Sequence, residues 1–138
     1  MAKIRQVGER IFDCKLRKSG VEINPAQGRI MFVLWQNDGI SIQELAVKTQ
    51  LGKSTLTSML DRLEAMGYVR RQRSEQDRRK IFIFRTAKDR MMEKQYVELS
   101  EAMTDLWYKG FSRGDIEAFE AYLQRILDNL TKLEAGDE

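Results

Sequence analysis

Between Ser41 and Arg85 the hydrophobic period of the chain changes, and that change restricts the fold more than any other feature. Ser41-Ile42-Gln43-Glu44 reads as a capping box, in which a hydroxyl and a carboxylate each satisfy a helix-end N–H. The helix it opens turns Leu45 and Ala46 inward and ends near Gln50. Leu51-Gly52 then supplies a turn in which Gly52 is free to take a positive φ, and Ser54 caps a second helix. In that second helix Leu56, Met59, Leu60, Leu63 and Met66 recur at helical spacing and pack inward. After Gly67 the period drops. Residues 68–73 read as extended, residues 74–79 as a polar turn, and residues 80–85 as a returning strand. Two short capped helices around a tight turn, followed by a basic hairpin, have the spacing of a winged helix-turn-helix. The helix pair taken alone is also compatible with an ordinary helical hairpin in a core.

The outward face of the second helix separates these readings. At 100° per residue it carries Ser54, Thr57, Ser58, Asp61 and Ala65, with Arg62 and Thr55 on its two flanks. An idle surface helix usually shows long Lys and Glu side chains, whereas small hydroxyls let a backbone approach a groove. Capping explains Ser54 but not Thr57 and Ser58. Lys53 stands where a phosphate meets a helix N-terminus. Six of the eleven residues from 70 to 80 are Arg or Lys, and arginines at a hairpin tip suit a narrow, negative minor groove. The candidate DNA contacts are therefore Gln43, Lys53, Ser54, Thr55, Thr57, Ser58, Arg62, Arg73, Arg78 and Arg79. Asp61 and Asp77 read as residues that orient the wing, Asp77 by holding Arg78 or Arg79.

Charge supports this placement. The net charge is only +3, but residues 41–90 carry twelve basic and six acidic side chains, and residues 91–138 carry five and eleven. A basic middle meets a polyanion and an acidic tail meets solvent or protein. The chain contains no histidine and a single cysteine. That removes the commonest metal ligand and neutral-pH base, and no Gly-rich phosphate loop is present, so no catalytic constellation assembles. No metal or cofactor is expected. One cysteine fits a reducing cytoplasm, and neither a membrane span nor a secretory signal is apparent.

The flanks read as helices. Ile4, Val7, Ile11 and Cys14 form one seam, with Ser19-Gly20 as its stop. Cys14 reads first as a small hydrophobe and second as a redox-sensing thiol. Asn24-Pro25-Ala26-Gln27 caps a helix whose residues 30–35 are apolar on all sides, as expected of a buried core helix. Downstream, Met92, Tyr96, Leu99, Met103 and Leu106 form a second seam; Ile116, Phe119, Leu123, Ile126, Leu130 and Leu133 form a third. Three seams outside the compact middle predict a homodimer interface. Met91, Met92, Tyr96 and Trp107 are expected in the core.

These blocks resemble the multiple-antibiotic-resistance regulator (MarR) family: Asn24-Pro25-Ala26-Gln27, Ser41 to Ala46, Lys53 to Thr57, Asp61 to Glu64 with Gly67-Tyr68-Val69, and Asp77-Arg78-Arg79, in family order. The resemblance implies a mainly α fold with a small β-hairpin wing, the lobe at 24–85 flanked by dimerisation helices at 1–20 and 87–138. It implies a homodimer on pseudo-palindromic double-stranded DNA, with the 54–66 helix in the major groove and Arg79 in the minor groove. It also implies a repressor released by a small aromatic or lipophilic effector bound near Ile11, Met31 and Trp35. A protein-interaction module and a Cys14 redox regulator are the alternatives. Two departures stand out. Ser58 occupies a position where many members carry Arg, which shifts specificity toward shape and wing contacts. The usual Leu-Thr-x-x-Gly after the wing is Arg85-Thr86-Ala87-Lys88-Asp89 here.

Overall fold

The computed structural model describes residues 1–136; Asp137 and Glu138, the end of the expected dimerisation segment, lie outside the described residues. The elements run α1 (Ala2–Lys18), α2 (Pro25–Gln36), β1 (Ile40–Ser41), α3 (Ile42–Thr49), α4 (Lys53–Ala65), β2 (Val69–Arg73), β3 (Ile81–Arg85), α5 (Ala87–Trp107) and α6 (Arg113–Glu134). They divide into two compact units, residues 1–103 and residues from 104 onward. Among the described residues no helix is long and apolar enough to cross a membrane.

In the first unit the expected hairpin is antiparallel, with Val69 opposite Arg85 and Arg73 opposite Ile81. The short strand at Ile40 pairs with Ile83 on the other side of β3, giving a sheet of order β1-β3-β2. Ile83 is thus the centre of the sheet and is fully buried. It joins a core of Leu16, Ile30, Leu34, Leu45, Leu60 and Leu63. The α4 stripe packs as its spacing predicts: Leu56, Leu60 and Leu63 are buried, with Met59 and Met66 partly so against the same core.

The turn between α3 and α4 differs from the sequence expectation. Gly52 has φ −64° and is the N-cap of α4, while the left-handed residue is Gln50, at φ 58°. The chain reverses hand at the end of α3, where the Gln50 side chain donates to the Val47 carbonyl (3.2 Å). By residue 52 it needs only an extended entry. Ser54 consequently lies inside the helix rather than capping it. At α3 the Ser41 hydroxyl accepts from the Glu44 N–H (3.2 Å). Among the described residues the full reciprocal capping box forms at α2, through Asn24 and Gln27, and at α6, through Ser112 and Asp115.

The three seams divide differently from expectation. That of α5 is covered in the first unit, where Met92, Tyr96 and Met103 are buried, while Leu106, beyond it, is exposed. The Tyr96 ring sits 5.3 Å from Phe12, 5.8 Å from Phe32 and 5.6 Å from Trp35. Gly28 makes room for it: a Cβ there would stand 1.7 Å from the Tyr96 hydroxyl. Met91, one position off the stripe, is 84% exposed instead of buried, and Trp107 is also exposed. Nor is α2 covered on all sides, since Phe32 lies at the surface. Helix α1 packs through Phe12 and Leu16, so its other stripe, Ile4, Val7 and Ile11, stays exposed. In the second unit α6 buries no residue, and Phe119, Leu123, Ile126, Leu130 and Leu133 are all exposed. There Tyr108 packs on Phe111 and Phe119 and donates to Glu120 (2.8 Å).

Candidate nucleic-acid interface

The open face of α4 is set by its buried stripe. With Leu56, Leu60 and Leu63 in the core, Lys53, Ser54, Thr55 and Ser58 emerge into solvent and Thr57 is half-buried. Lys53, Ser54, Thr57, Ser58 and Asp61 line one open depression along the helix. The Thr57 hydroxyl donates back to the Lys53 carbonyl (2.8 Å), so its oxygen remains available only as an acceptor. Gln43 is exposed on α3 and Arg62 on the flank of α4.

The wing tip is built by short polar bonds. The Ser74 N–H donates to the Lys80 carbonyl and the Lys80 N–H to the Asp77 carbonyl, both at 2.9 Å. The Ser74 hydroxyl accepts from the N–H groups of Gln76 and Asp77. Asp77 accepts from the backbone N–H of Arg79 (3.1 Å) and from its Nε (3.3 Å). Of the two arginines named from sequence, Asp77 takes Arg79. That side chain is still 92% exposed.

The basic run from 70 to 80 divides into two groups. Arg70 lies over the Phe84 ring, 4.8 Å from its centroid. Arg73 donates to the Arg78 carbonyl (2.5 Å), closing the turn rather than projecting from it. Arg71 ties the strand to α4: it pairs with Asp61, and its Nε lies 3.3 Å from Glu64. Its backbone N–H also donates to Glu64 (3.1 Å). The Asp61 hydrogen bond, aided by the Glu64 charge, raises the Arg71 pKa above its ordinary value. Asp61 therefore holds the wing through β2, at its base. Arg78, Arg79 and Lys80 are left exposed at the tip.

Arg71 and Glu64 are absent from the sequence-derived set. The spacing of Asp61 and Glu64, three apart on one helix face, was the available signal. The base of the wing carries a second missed group. Arg85, with a 9% exposed side chain, donates from Nε to Asp89 and from Nη2 to Glu93, both at 2.5 Å. Burial works against its charge, but these bonds outweigh it and raise its pKa. Asp89 is fully buried and also accepts from the Trp35 indole N–H (2.7 Å).

The three residues assigned to a ligand lie at different depths. Ile11 is exposed, Met31 is fully buried in the core and Trp35 is half-buried against Asp89. A groove of about 440 Å³ between α1 and the start of α2 is lined by Gln6, Glu9, Arg10, Asp13, Asn24, Pro25 and Ala26. Among the described residues no cluster of His, Cys, Asp or Glu is placed to hold a metal ion.

Residues 23–81, which span α2 to the start of β3, match the model of the MarR family. Over this stretch the chain is similar to the MarR family. The family is one of transcriptional regulators, and the relatives are regulators rather than enzymes. TtmR of Methylorubrum extorquens, an HTH-type transcriptional regulator, is 42% identical over 69 residues, half of this chain and 35% of that protein. This chain thus aligns with about a third of TtmR. The MarR fold extends further than the sequence match. FabT of Streptococcus pneumoniae, solved in complex with DNA, is 25% identical with a TM-score of 0.77, covering 96% of this chain and 93% of that one. BpsR of Bordetella bronchiseptica, whose DNA binding is regulated by 6-hydroxynicotinic acid, is 20% identical with a TM-score of 0.83, covering 92% and 89%.

Proposed function

We propose that the chain is a sequence-specific DNA-binding repressor acting as a homodimer in the cytoplasm. The observation that carries this reading is the pairing, in one compact unit, of an open hydroxyl-lined α4 face with an exposed cationic wing tip. Lys53, Ser54, Thr55, Thr57 and Ser58, with Gln43 and Arg62 beside them, meet base edges and phosphates of the major groove. Arg78 and Arg79 reach the minor groove, with Arg73 shaping the turn that presents them. Asp61 and Asp77 orient the wing. The exposed apolar stripes of α1 and α6 support a dimer: each large apolar side chain covered is worth about 1.5–3 kcal/mol. Two copies then read half-sites about one helical turn apart.

Release by a small aromatic or lipophilic effector is the finer part of the proposal, supported by the behaviour of BpsR. Ile11 and Trp35 are its nearest named residues, and a ligand that uses Met31 must open the core to reach it.

The test is selection of genomic fragments by the purified protein, then footprinting with and without aromatic carboxylates. Two protected half-sites are expected. Binding should weaken steeply with salt, as phosphate contacts release counterions. Absence of any protection at low salt overturns the reading, and a protein partner lost on Arg78 or Arg79 substitution would favour an interaction module.

A further inference from the structure

The wing is anchored at two places. One is the Asp61–Arg71–Glu64 bracket, which binds β2 to α4. The other lies where β3 ends. There the Arg85 backbone N–H donates to Asp38 (2.8 Å), on the loop after α2. Its guanidinium is divided between Asp89 and Glu93 of α5. Asp89 in turn accepts the indole N–H of Trp35, on α2. Thr86 completes the joint: its hydroxyl donates to the Gly67 carbonyl (2.6 Å) and accepts the Asp89 N–H (3.2 Å). The last residue of the wing is therefore held by directed bonds from α5 and from the loop after α2, at a point where Asp89 is wholly out of solvent.

Stability does not account for this arrangement. A buried ion pair adds little over well-packed apolar residues of the same volume, because desolvation offsets the attraction. What it adds is direction. An apolar residue at 85 would tolerate rotation of the strand about its axis, whereas a guanidinium between two carboxylates admits few orientations. Rotation at Arg85 is carried along β3 to the tip, where Arg79 is exposed.

We propose that Arg85 and Asp89, with Trp35 behind them, are positioning residues for DNA binding that set the angle at which the wing presents Arg79 to the minor groove. This rests on the DNA-binding reading above.

The experiment compares the full chain with the Arg85→Leu/Asp89→Leu double variant in two measurements. In hydrogen exchange of the free protein, amides of β2 and β3 should exchange about tenfold faster in the double variant while α4 keeps its rates. In operator binding, Arg79→Ala should weaken the parent about tenfold. In the double variant its effect should fall below about twofold, because residues acting through one element are not additive. Ser58→Ala should cost the same in both backgrounds. Unchanged wing exchange, or an undiminished Arg79→Ala effect, overturns the proposal.

If the double variant does not fold, Trp35→Phe and Arg85→Lys take its place, since each removes only part of the joint: the first the indole N–H that Asp89 accepts, the second the guanidinium that spans Asp89 and Glu93. The same pattern is expected in weaker form, and its absence from both is equally decisive. If the parent itself binds no DNA while the exchange difference persists, the DNA reading has failed and the positioning role falls with it. The persisting exchange difference separates that outcome from a failure of the joint.

Discussion

Gly28 and Tyr96 show how much a single contact decides. The tyrosine hydroxyl occupies the space a side chain at 28 would need, and its Cζ would lie 2.2 Å from the same added Cβ. Gly28→Ala should therefore destabilise the chain by about 3 kcal/mol, the upper range for overpacking. Tyr96→Phe should not rescue it, because the ring carbon still clashes; denaturant midpoints of the three variants check this. Burial also pushes the Tyr96 hydroxyl up to about 12, against a small opposing effect of Arg29. The folded state thus favours the protonated form. Its contribution is complete below pH 10, where an unfolded tyrosine titrates, and is lost as pH rises through 12. Between those limits the parent should lose on the order of 1–2 kcal/mol more than Tyr96→Phe, measured by denaturation at stepped pH. Neither property is legible in the sequence. A glycine in an apolar helix gives no hint of which ring lies over it.

The α3–α4 turn makes the same point for elements. Sequence reading locates the turn and both helices, since amphipathic spacing and flanking caps are local signals. It assigns the left-handed residue to Gly52, by the preference of glycine for that region. The structure gives that conformation to Gln50, whose side chain compensates by capping Val47. Gln50→Gly should then stabilise the domain by about 0.5 kcal/mol, relieving left-handed strain. Gly52→Ser should also stabilise it, by a few tenths of a kcal/mol, by supplying the N-cap hydroxyl α4 lacks. Thermal denaturation of both variants tests this, and a large loss at Gly52 would restore the simpler reading. The wing follows similar logic. Its existence is legible in the change of period, but which arginines fold it and which project from it depends on the placement of Asp61, Glu64 and Phe84.

At the scale of the whole molecule, the heptad seams predict association in the sequence, and the structure leaves the apolar stripes of α1 and α6 exposed. Most of the α5 stripe is covered within its own unit, where Tyr96 packs on Phe12, Phe32 and Trp35. Paired substitutions Leu123→Glu and Leu130→Glu on α6 should shift the protein toward monomer in sedimentation velocity. They should lower operator affinity at least tenfold by uncoupling two half-sites. The domain itself should keep its helical content, since neither leucine is buried.

Local rules were enough for the helices, the hairpin, the polar face of α4 and the basic tip, because period, caps and charge act over a few residues. Partner choice across distance was not local. Asp77 takes Arg79 within one turn, but that Asp61 takes Arg71, and that Asp89 serves both Arg85 and Trp35, depend on how sheet and helices pack. A charged side chain in sequence is only a candidate for a pair. Burial decides which pairs must form, since an unpaired charge away from water costs several kcal/mol. Only the folded chain determines which charges are buried.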